Sequence, residues 1–288
     1  ASGVGAALAL AALRDEFAGE IVFLGTPAEE RGSGKQFMLD DGLLDGLDAA
    51  LLFHPGDRDM VGCMLLASED VDITFIGKAA HAAGEPWEGK NALDAVVLLF
   101  QAVGLWRQQL PQHARVHGIV MEGGTAANII PDRATARFMI RSTNQAYYEA
   151  MRERMKALVA GAAMLADVQG EAVFSGGSTT MKDNRLLGGL WRANLEAAGR
   201  VDEGVDPEHI GSSDMGNVSL VLPTIHPTLA ICNHGVAWHS IESLNAAATP
   251  RADETTLLAA TLVAQTALDL LADPSLVDAA WREFRGEG

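Results

Sequence analysis

The chain has 288 residues, a hydrophobic fraction of 48% and a formal net charge of −17 at pH 7. This length and apolar content are enough to bury a large core and to form two domains. The acidic balance argues against a nucleic-acid partner, which would need clustered basic side chains. Because no run of 18 apolar residues and no basic segment followed by an apolar one occurs, we expect neither a membrane span nor a signal peptide in this segment. Since Cys63 and Cys232 are the only cysteines, we expect reduced thiols and a cytoplasmic location.

The first third of the chain alternates between apolar helices and apolar strands. Residues 6–17 predict a helix that has no capping residue in front of it, so we expect further residues of the same fold to precede Ala1. Residues 20–25 are continuously apolar and predict a strand that is buried on both faces. A short helix at 35–41 and a second buried strand at 48–53 follow. This β-α-β order is typical of a parallel sheet.

Polar side chains follow both predicted strands. Glu29 and Glu30 come after the first strand, and His54 ends the second. The carboxyl ends of parallel strands share one edge of the sheet, where ligands bind, and two adjacent carboxylates need a cation or a shared proton. Carboxylate and imidazole are ligands that zinc accepts, so a metal site with a neighbouring general base is one interpretation. Taken singly, a Glu-Glu pair is more often a solvated turn and a lone histidine more often belongs to a surface loop.

The pattern changes after residue 64 and predicts six elements in the order β-α-β-β-α-β. They are a strand at 71–76, a helix at 91–108, strands at 115–122 and 134–141, a helix at 147–158 and a strand at 168–174. This order is typical of a ferredoxin-like module, here inserted in the first domain. Residues 175–178, Ser-Gly-Gly-Ser, predict the return linker.

The last third of the chain resumes the alternation of helix and strand. We predict a helix at 184–198, strands at 219–223 and 228–232, and a long helix at 253–271. The predicted domains are therefore 1–69 and 178–288, which form the two parts of one domain, with 70–177 inserted between them.

Six segments carry a resemblance that extends over nearly the whole chain. They are GTPAEE at 25–30, FHPG at 53–56, GKAAHAAGEPWEGKNALDA at 77–95, GGTAANIIPDRATARFMIR at 123–141, GSSDMGNVS at 211–219 and His-Ser at 239–240. They resemble the co-catalytic zinc peptidases and amidohydrolases of metallopeptidase family twenty, which include aminoacylase and carboxypeptidase G. GSSDMGNVS followed by LVLPTIHP is most similar to the branch of aminobenzoyl-glutamate hydrolase and dipeptidase-like amidohydrolases. The resemblance implies an α/β zinc-peptidase catalytic domain, a mixed sheet flanked by helices, with an inserted ferredoxin-like α+β lid or dimerisation domain.

The resemblance also implies roles for the matching residues of the catalytic domain. Glu29 is similar to the general base, and Glu30, His54 and His239 are similar to metal ligands. His239 is favoured because the family's ligand is followed by Ser or Thr, and His234 is the alternative. Asp214 is expected to order the loop beside the metals.

In the inserted module, three residues fall on the family's substrate positions. Arg141 can fork onto a carboxylate, Asn128 can donate an amide N–H and His81 can stabilise an oxyanion. In related dimers the equivalent histidine comes from the partner subunit, so a homodimer is expected. Without the resemblance, Arg141 is a surface arginine at a strand end and His81 is a loop histidine.

The family's cofactor is a pair of Zn²⁺ ions, with Mn²⁺ or Co²⁺ possible. The family's first ligands lie upstream of the helix that begins at Ala1, so only part of the ligand set is in this segment. We expect a metal-dependent amidohydrolase that cleaves an N-acyl amino acid, a dipeptide or an aminobenzoyl-glutamate-like amide with a free carboxylate. The alternative is a truncated or degenerate member that acts as a ligand-binding or dimerising scaffold. A serine or cysteine hydrolase is weakly supported, because no G-x-S-x-G occurs and both cysteines lie in apolar runs.

Overall fold

The structure is a computed structural model that describes residues 1–30, 33–205 and 211–287. In the described ranges, the α-helices are α1 Ser2–Ala12, α2 Gly34–Asp40, α3 Ala92–Arg107, α4 Gln145–Leu165, α5 Arg185–Ala197, α6 Met215–Ser219, α7 Ile241–Ala246, α8 Pro250–Ala272 and α9 Pro274–Arg285. The strands there are β1 Ala50–Leu51, β2 His54–Gly56, β3 Ala67–Ile76, β4 Ala80–His81, β5 Ala114–Glu122, β6 Ile129–Ile130, β7 Arg133–Ser142, β8 Gln169–Ser178, β9 Thr224–Ile225 and β10 Thr228–Ala230.

The chain divides into two compact units. The first unit contains the described residues of 1–29, 34–65 and 181–288, and the second contains those of 30–33 and 66–180. The second unit is therefore an insertion in the first, and the predicted insertion at 70–177 lies inside it.

In the first unit, two short strand pairs form one interrupted parallel pairing. β1 pairs with β9, with Ala50 opposite Thr224, and β2 pairs with β10, with His54 opposite Thr228. Both pairs have the same register, so they continue one another across a gap of two residues. The strand predicted at 48–53 is thus shorter than expected, and His54 begins a strand of its own instead of following one.

The long helix α8 forms the core of the first unit. Its buried residues Ala259 and Leu262 pack with Trp191 and Leu195 of α5 and with Leu229 of β10. By length and a mean hydropathy of 1.5, α8 could cross a membrane. Its packing in the core accounts for this apolar character, because a core helix has the same composition.

The strand predicted at 20–25 is wrong. The segment is irregular, and Ile21, Val22 and Phe23 are 39%, 43% and 53% exposed. In the described part of the chain no strand pairs with it, and a strand needs a partner for its backbone hydrogen bonds. Instead the segment lines an apolar cavity of about 470 Å³, together with α1 and residues 49–52.

A second wrong prediction concerns residues 219–223. Residues 215–219 form helix α6, and the chain then turns before β9. Met215 and Val218 of this helix are buried against Leu44 and Leu222. The apolar run therefore reflects the buried face of a short helix, which periodicity alone does not distinguish from a buried strand.

The second unit is a four-stranded antiparallel sheet in the order β5-β7-β3-β8, with α3 and α4 packed on one face. Residues of β3 are alternately buried and half-buried, as expected for a sheet with one covered face. This is the β-α-β-β-α-β order of a ferredoxin-like module, which confirms the predicted fold. Residues 175–178 belong to β8 and not to a linker, since Ser175 pairs with Asp70 and Ser178 with Ser68 across a bulge.

Candidate functional site

The loop that carries Glu29 and Glu30 leads directly into α2. The Gly34 amide donates to the Ala28 carbonyl at 3.4 Å, which closes the loop. A Cβ on Gly34 would lie 1.9 Å from the Pro27 carbonyl oxygen, so only glycine permits this approach. Within this loop Glu29 is half-buried and Glu30 is exposed. Residues 31 and 32 lie outside the described residues.

A buried ion pair anchors the start of α2. The Lys35 Nζ lies 2.6 Å from Asp214 Oδ1, and the Lys35 backbone N–H donates to Asp214 Oδ2 at 2.9 Å. Lys35 and Asp214 are 4% and 1% exposed, so both charges depend on each other for compensation. Asp214 was expected to order the loop beside the metals, and in the first unit it fixes the helix that follows Glu29.

His54 lies at the beginning of β2, beside a second histidine. Its Nδ1 is 2.7 Å from the Pro55 carbonyl oxygen, and its ring is edge-to-face with that of His226, with 5.7 Å between the ring centres. His226 is 3% exposed. Burial, followed by the nearby His54, lowers the pKa of His226 to about 3, so its imidazole is neutral.

The loop that carries His239 reaches His54 through Trp238, whose ring centre is 5.8 Å from that of His54. His234, the alternative ligand, instead contacts Glu203, with 2.9 Å between Nε2 and Oε2. The amide of Gly235 donates to Asp57 Oδ2 at 2.8 Å, which fixes the start of the same loop.

Unusual backbone conformations concentrate at the predicted site. Among the described residues, four non-glycine residues have a positive φ, namely Ala28, Ser33, Asp167 and His239. Two of them flank the Glu29-Glu30 pair, and another is the predicted ligand His239. Such conformations cost about 1 to 3 kcal/mol each and cluster at functional sites, where the surrounding structure enforces them.

The structure brings His81 and Asn128 together in the second unit. His81 lies opposite Ile129 in the pairing of β4 with β6, and the Ala82 amide donates to the Asn128 carbonyl at 3.0 Å. The amides of Ala83 and Gly84 both donate to His81 Nδ1. In the neutral ring Nε2 therefore carries the proton and can donate to a substrate oxygen.

Arg141 lies far from that pair within the unit. It is near the end of β7, where the chain enters the unit at 66 and leaves it at 180, whereas Asn128 precedes the start of β7. Eight residues of strand separate Arg133 from Arg141, which corresponds to roughly 27 Å. In the described chain, the Arg141 Nε is buried without a hydrogen-bond partner. A buried donor without a partner is what an absent anionic ligand would leave behind.

The residues that are present fit a metal ion in part. The His54 Nδ1 contacts a main-chain carbonyl, as the second nitrogen of metal-binding histidines usually does, and Nε2 remains for the ion. Within residues 1–30, 33–205 and 211–287, no three His, Cys, Asp or Glu side chains form a group that could hold a metal. Burial raises the pKa of Cys63 well above its usual value and also raises that of Cys232, so both free thiols stay protonated.

Sequence reasoning missed Lys35 and His226. Lys35 lies 179 positions from its partner Asp214, and no local pattern predicts such a pair. His226 belongs to the LVLPTIHP segment, which entered the resemblance without a role for its histidine. The Pro that follows His226 was a usable signal, because a proline interrupts strand pairing and leaves a carbonyl to be satisfied by another donor.

Comparisons with known proteins give a consistent result. Residues 68–164 match the family model of the peptidase dimerisation domain of the M20 peptidases. The Xaa-Arg dipeptidase of Mus musculus is 33% identical over 98% of this chain and 67% of its own length. One of the two kinds of subunit of the p-aminobenzoyl-glutamate hydrolase of Escherichia coli is 34% identical over 59% of this chain and 36% of its own length.

Among solved structures, a Bacillus subtilis protein described as a dinuclear metal-binding peptidase of the M20 family superposes with a TM-score of 0.68. It is 21% identical, and the match covers 94% of this chain and 70% of that protein. This similarity supports the fold. The chain thus spans about two thirds of the length of the mouse relative and a smaller share of the bacterial hydrolase.

Proposed function

The chain belongs to the M20 peptidase family, and we propose that it carries part of the active site of a metal-dependent amidohydrolase. The substrate would be a linear amide of an amino acid with a free carboxylate, such as a dipeptide or an aminobenzoyl-glutamate-like compound. The names of the mouse and E. coli relatives support this class, since one is a dipeptidase and the other hydrolyses an aminobenzoyl amide of glutamate.

The observation that carries the proposal is the strained backbone at the predicted site. Ala28 and His239 both have φ of 60°, and Ser33 has φ of 54°. A scaffold that had lost its activity would gain stability by relaxing these positions, because each costs free energy without a structural return. Strain beside the acid pair and at His239 is consistent with an active site that is still used.

The proposed metal ligands of this chain are Glu30, His54 and His239, and the ion is Zn²⁺, with Mn²⁺ or Co²⁺ as alternatives. When bound, the metal would polarise the scissile carbonyl and lower the pKa of the attacking water. Glu29 would accept the proton of that water and return it to the leaving amine. Its half-buried position within the closed loop of 28–34 holds the carboxylate in place for both transfers.

Substrate recognition is proposed for the second unit. The buried Nε of Arg141 is consistent with a guanidinium that awaits a carboxylate, which arginine can bind through two parallel hydrogen bonds. His81, with Nε2–H as donor, would stabilise the oxyanion that develops on the carbonyl. Because Arg141 and His81 are near opposite ends of β7, we propose that they serve different active sites of a dimer.

An exposed sheet edge supports the proposed homodimer. β5 is an edge strand, and its residues Ile119, Val120 and Met121 are 60%, 50% and 53% exposed. An apolar edge of this kind needs a partner, and pairing with a second copy would cover it. The match of this unit to a dimerisation domain is in agreement.

The test is hydrolysis of dipeptides and of aminobenzoyl-glutamate by the full-length protein after removal and return of Zn²⁺. Glu29→Gln should bind the metal normally but lower kcat by several orders of magnitude, because an amide cannot accept the proton. Glu20→Gln, an exposed glutamate nine positions upstream, is the matched control and should keep full activity. If Glu29→Gln retains near wild-type kcat at full metal occupancy, Glu29 is not the base, and a metal-independent or absent activity would favour the scaffold alternative.

A further inference from the structure

The parallel pairing of the first unit breaks at one point, and a histidine side chain occupies the break. The register on both sides places Leu52 opposite His226 and Phe53 opposite Pro227. In a regular parallel ladder the Leu52 carbonyl would accept a hydrogen bond from the amide of residue 227, but proline has no N–H. His226 Nδ1 lies 2.9 Å from that carbonyl oxygen and replaces the missing donor.

This contact determines which ring nitrogen of His226 carries the proton. A carbonyl oxygen can only accept, so Nδ1 is protonated in the neutral ring and Nε2 presents a lone pair. The same reasoning applies to His54, whose Nδ1 contacts the Pro55 carbonyl oxygen at 2.7 Å. Neither Nε2 has a hydrogen-bond donor among the described residues. Two neighbouring rings therefore both present an acceptor without a partner.

The spacing of the two rings suits a shared ion. Their centres are 5.7 Å apart and their planes are inclined by 77°. Two imidazoles on one tetrahedral zinc, with Zn–N bonds of about 2.05 Å and about 1.2 Å from each nitrogen to its ring centre, would have centres about 5.3 Å apart. The observed separation needs only a small adjustment to reach that value.

We propose that His226 is a metal ligand that shares one divalent ion with His54, each ring binding through Nε2. This inference rests on the proposed function, because it takes His54 as a ligand. Two neutral imidazoles favour Zn²⁺ or Co²⁺ over Mg²⁺ or Ca²⁺. The nearby ammonium of Lys35 does not oppose a cation here, because Asp214 compensates its charge at 2.6 Å.

The experiment titrates the metal-free protein with Co²⁺, followed by its visible absorption, in four forms. These are the wild type and the variants His54→Ala, His226→Asn and His117→Ala. Asparagine can still donate to the Leu52 carbonyl but has no atom at the position of Nε2. His117 is an exposed histidine of β5 and serves as the control for losing one imidazole. Thermal melting of each metal-free form checks that the fold is kept.

His226→Asn should weaken Co²⁺ binding by more than the 10- to 100-fold that is typical of a lost outer-shell partner, and change the absorption bands. His117→Ala should bind as the wild type does. Wild-type affinity in His226→Asn, with His54→Ala impaired, would overturn the role of His226 alone. Unimpaired His54→Ala, or a wild type that binds no Co²⁺, would overturn the proposed metal site as well.

A second measurement does not depend on the variant folding. In wild-type protein with ¹⁵N-labelled histidine, Zn²⁺ should shift the Nε2 resonance of His226 together with that of His54, while Nδ1 stays protonated. A shift at His54 without one at His226 would show that His226 only packs against the ligand, and would refute the proposal.

Discussion

The ion pair of Lys35 and Asp214 provides the sharpest test of how the acid loop is held. Asp214→Ala would leave the Lys35 ammonium buried without a counter-charge and its backbone N–H without an acceptor. Removing one partner of a buried pair typically costs about 3 to 5 kcal/mol. We expect a loss of that size in the free energy of unfolding of the first unit.

An exposed pair in the same unit is the control. Arg285 and Glu287 are 2.8 Å apart, but their side chains are 50% and 54% exposed, whereas those of Lys35 and Asp214 are 5% and 1% exposed. Glu287→Ala should therefore cost less than about 1 kcal/mol, because solvent screens the interaction. The contrast isolates burial, since the N···O distances are similar.

The assay is urea denaturation followed by far-UV circular dichroism, with the slope m compared between variants. Hydrogen exchange of α2 provides a local readout, because Asp214→Ala should deprotect the Lys35 amide. The double variant Lys35→Met with Asp214→Asn removes both charges and should recover much of the lost stability. The reasoning is refuted if Asp214→Ala costs no more than Glu287→Ala, or if the double variant is less stable than Asp214→Ala.

Three further predictions concern recognition, pH and assembly. Arg141→Ala should lower kcat/KM by about 30- to 1000-fold, from a lost charge-assisted contact of about 2 to 4 kcal/mol, for an acyl amino acid but not for its amide; an equal loss for both would exclude carboxylate recognition. Burial raises the pKa of Asp183 from 3.8 to about 6, so the folded state keeps a proton that the unfolded chain releases, and stability should fall by about 3 kcal/mol as pH rises from 4 to 6. Asp183→Asn should abolish this fall in urea unfolding measured at pH 4 and pH 7, and an unchanged difference would contradict the assignment. Mixing inactive His81→Ala and Glu29→Gln chains should restore partial activity, and a verified heterodimer with none would argue against a site shared between subunits.

The second unit shows how much the sequence alone determines. The alternation in β3, the caps Asn91 and Asn144 and the order of the six elements are local, so they predicted the ferredoxin-like module correctly. Each of these signals depends on neighbours within a turn or a strand, where sequence distance and spatial distance agree.

The prediction at 20–25 failed because a strand is a property of a pair. Ile21 and its neighbours have the composition of a buried strand, but hydrogen-bonding partners decide whether one forms, and the described chain provides none. The same limit explains the helix at 215–219, which is decided by packing against Leu44.

The candidate site divides in the same way. Glu29, Glu30, His54 and His239 were identified by motifs, and their roles remain predictions. Only the tertiary structure placed Asp214 on Lys35 and set His226 beside His54, because both contacts join segments more than 170 positions apart. Local sequence determines which side chains are available, whereas burial and charge compensation between distant segments decide which of them meet.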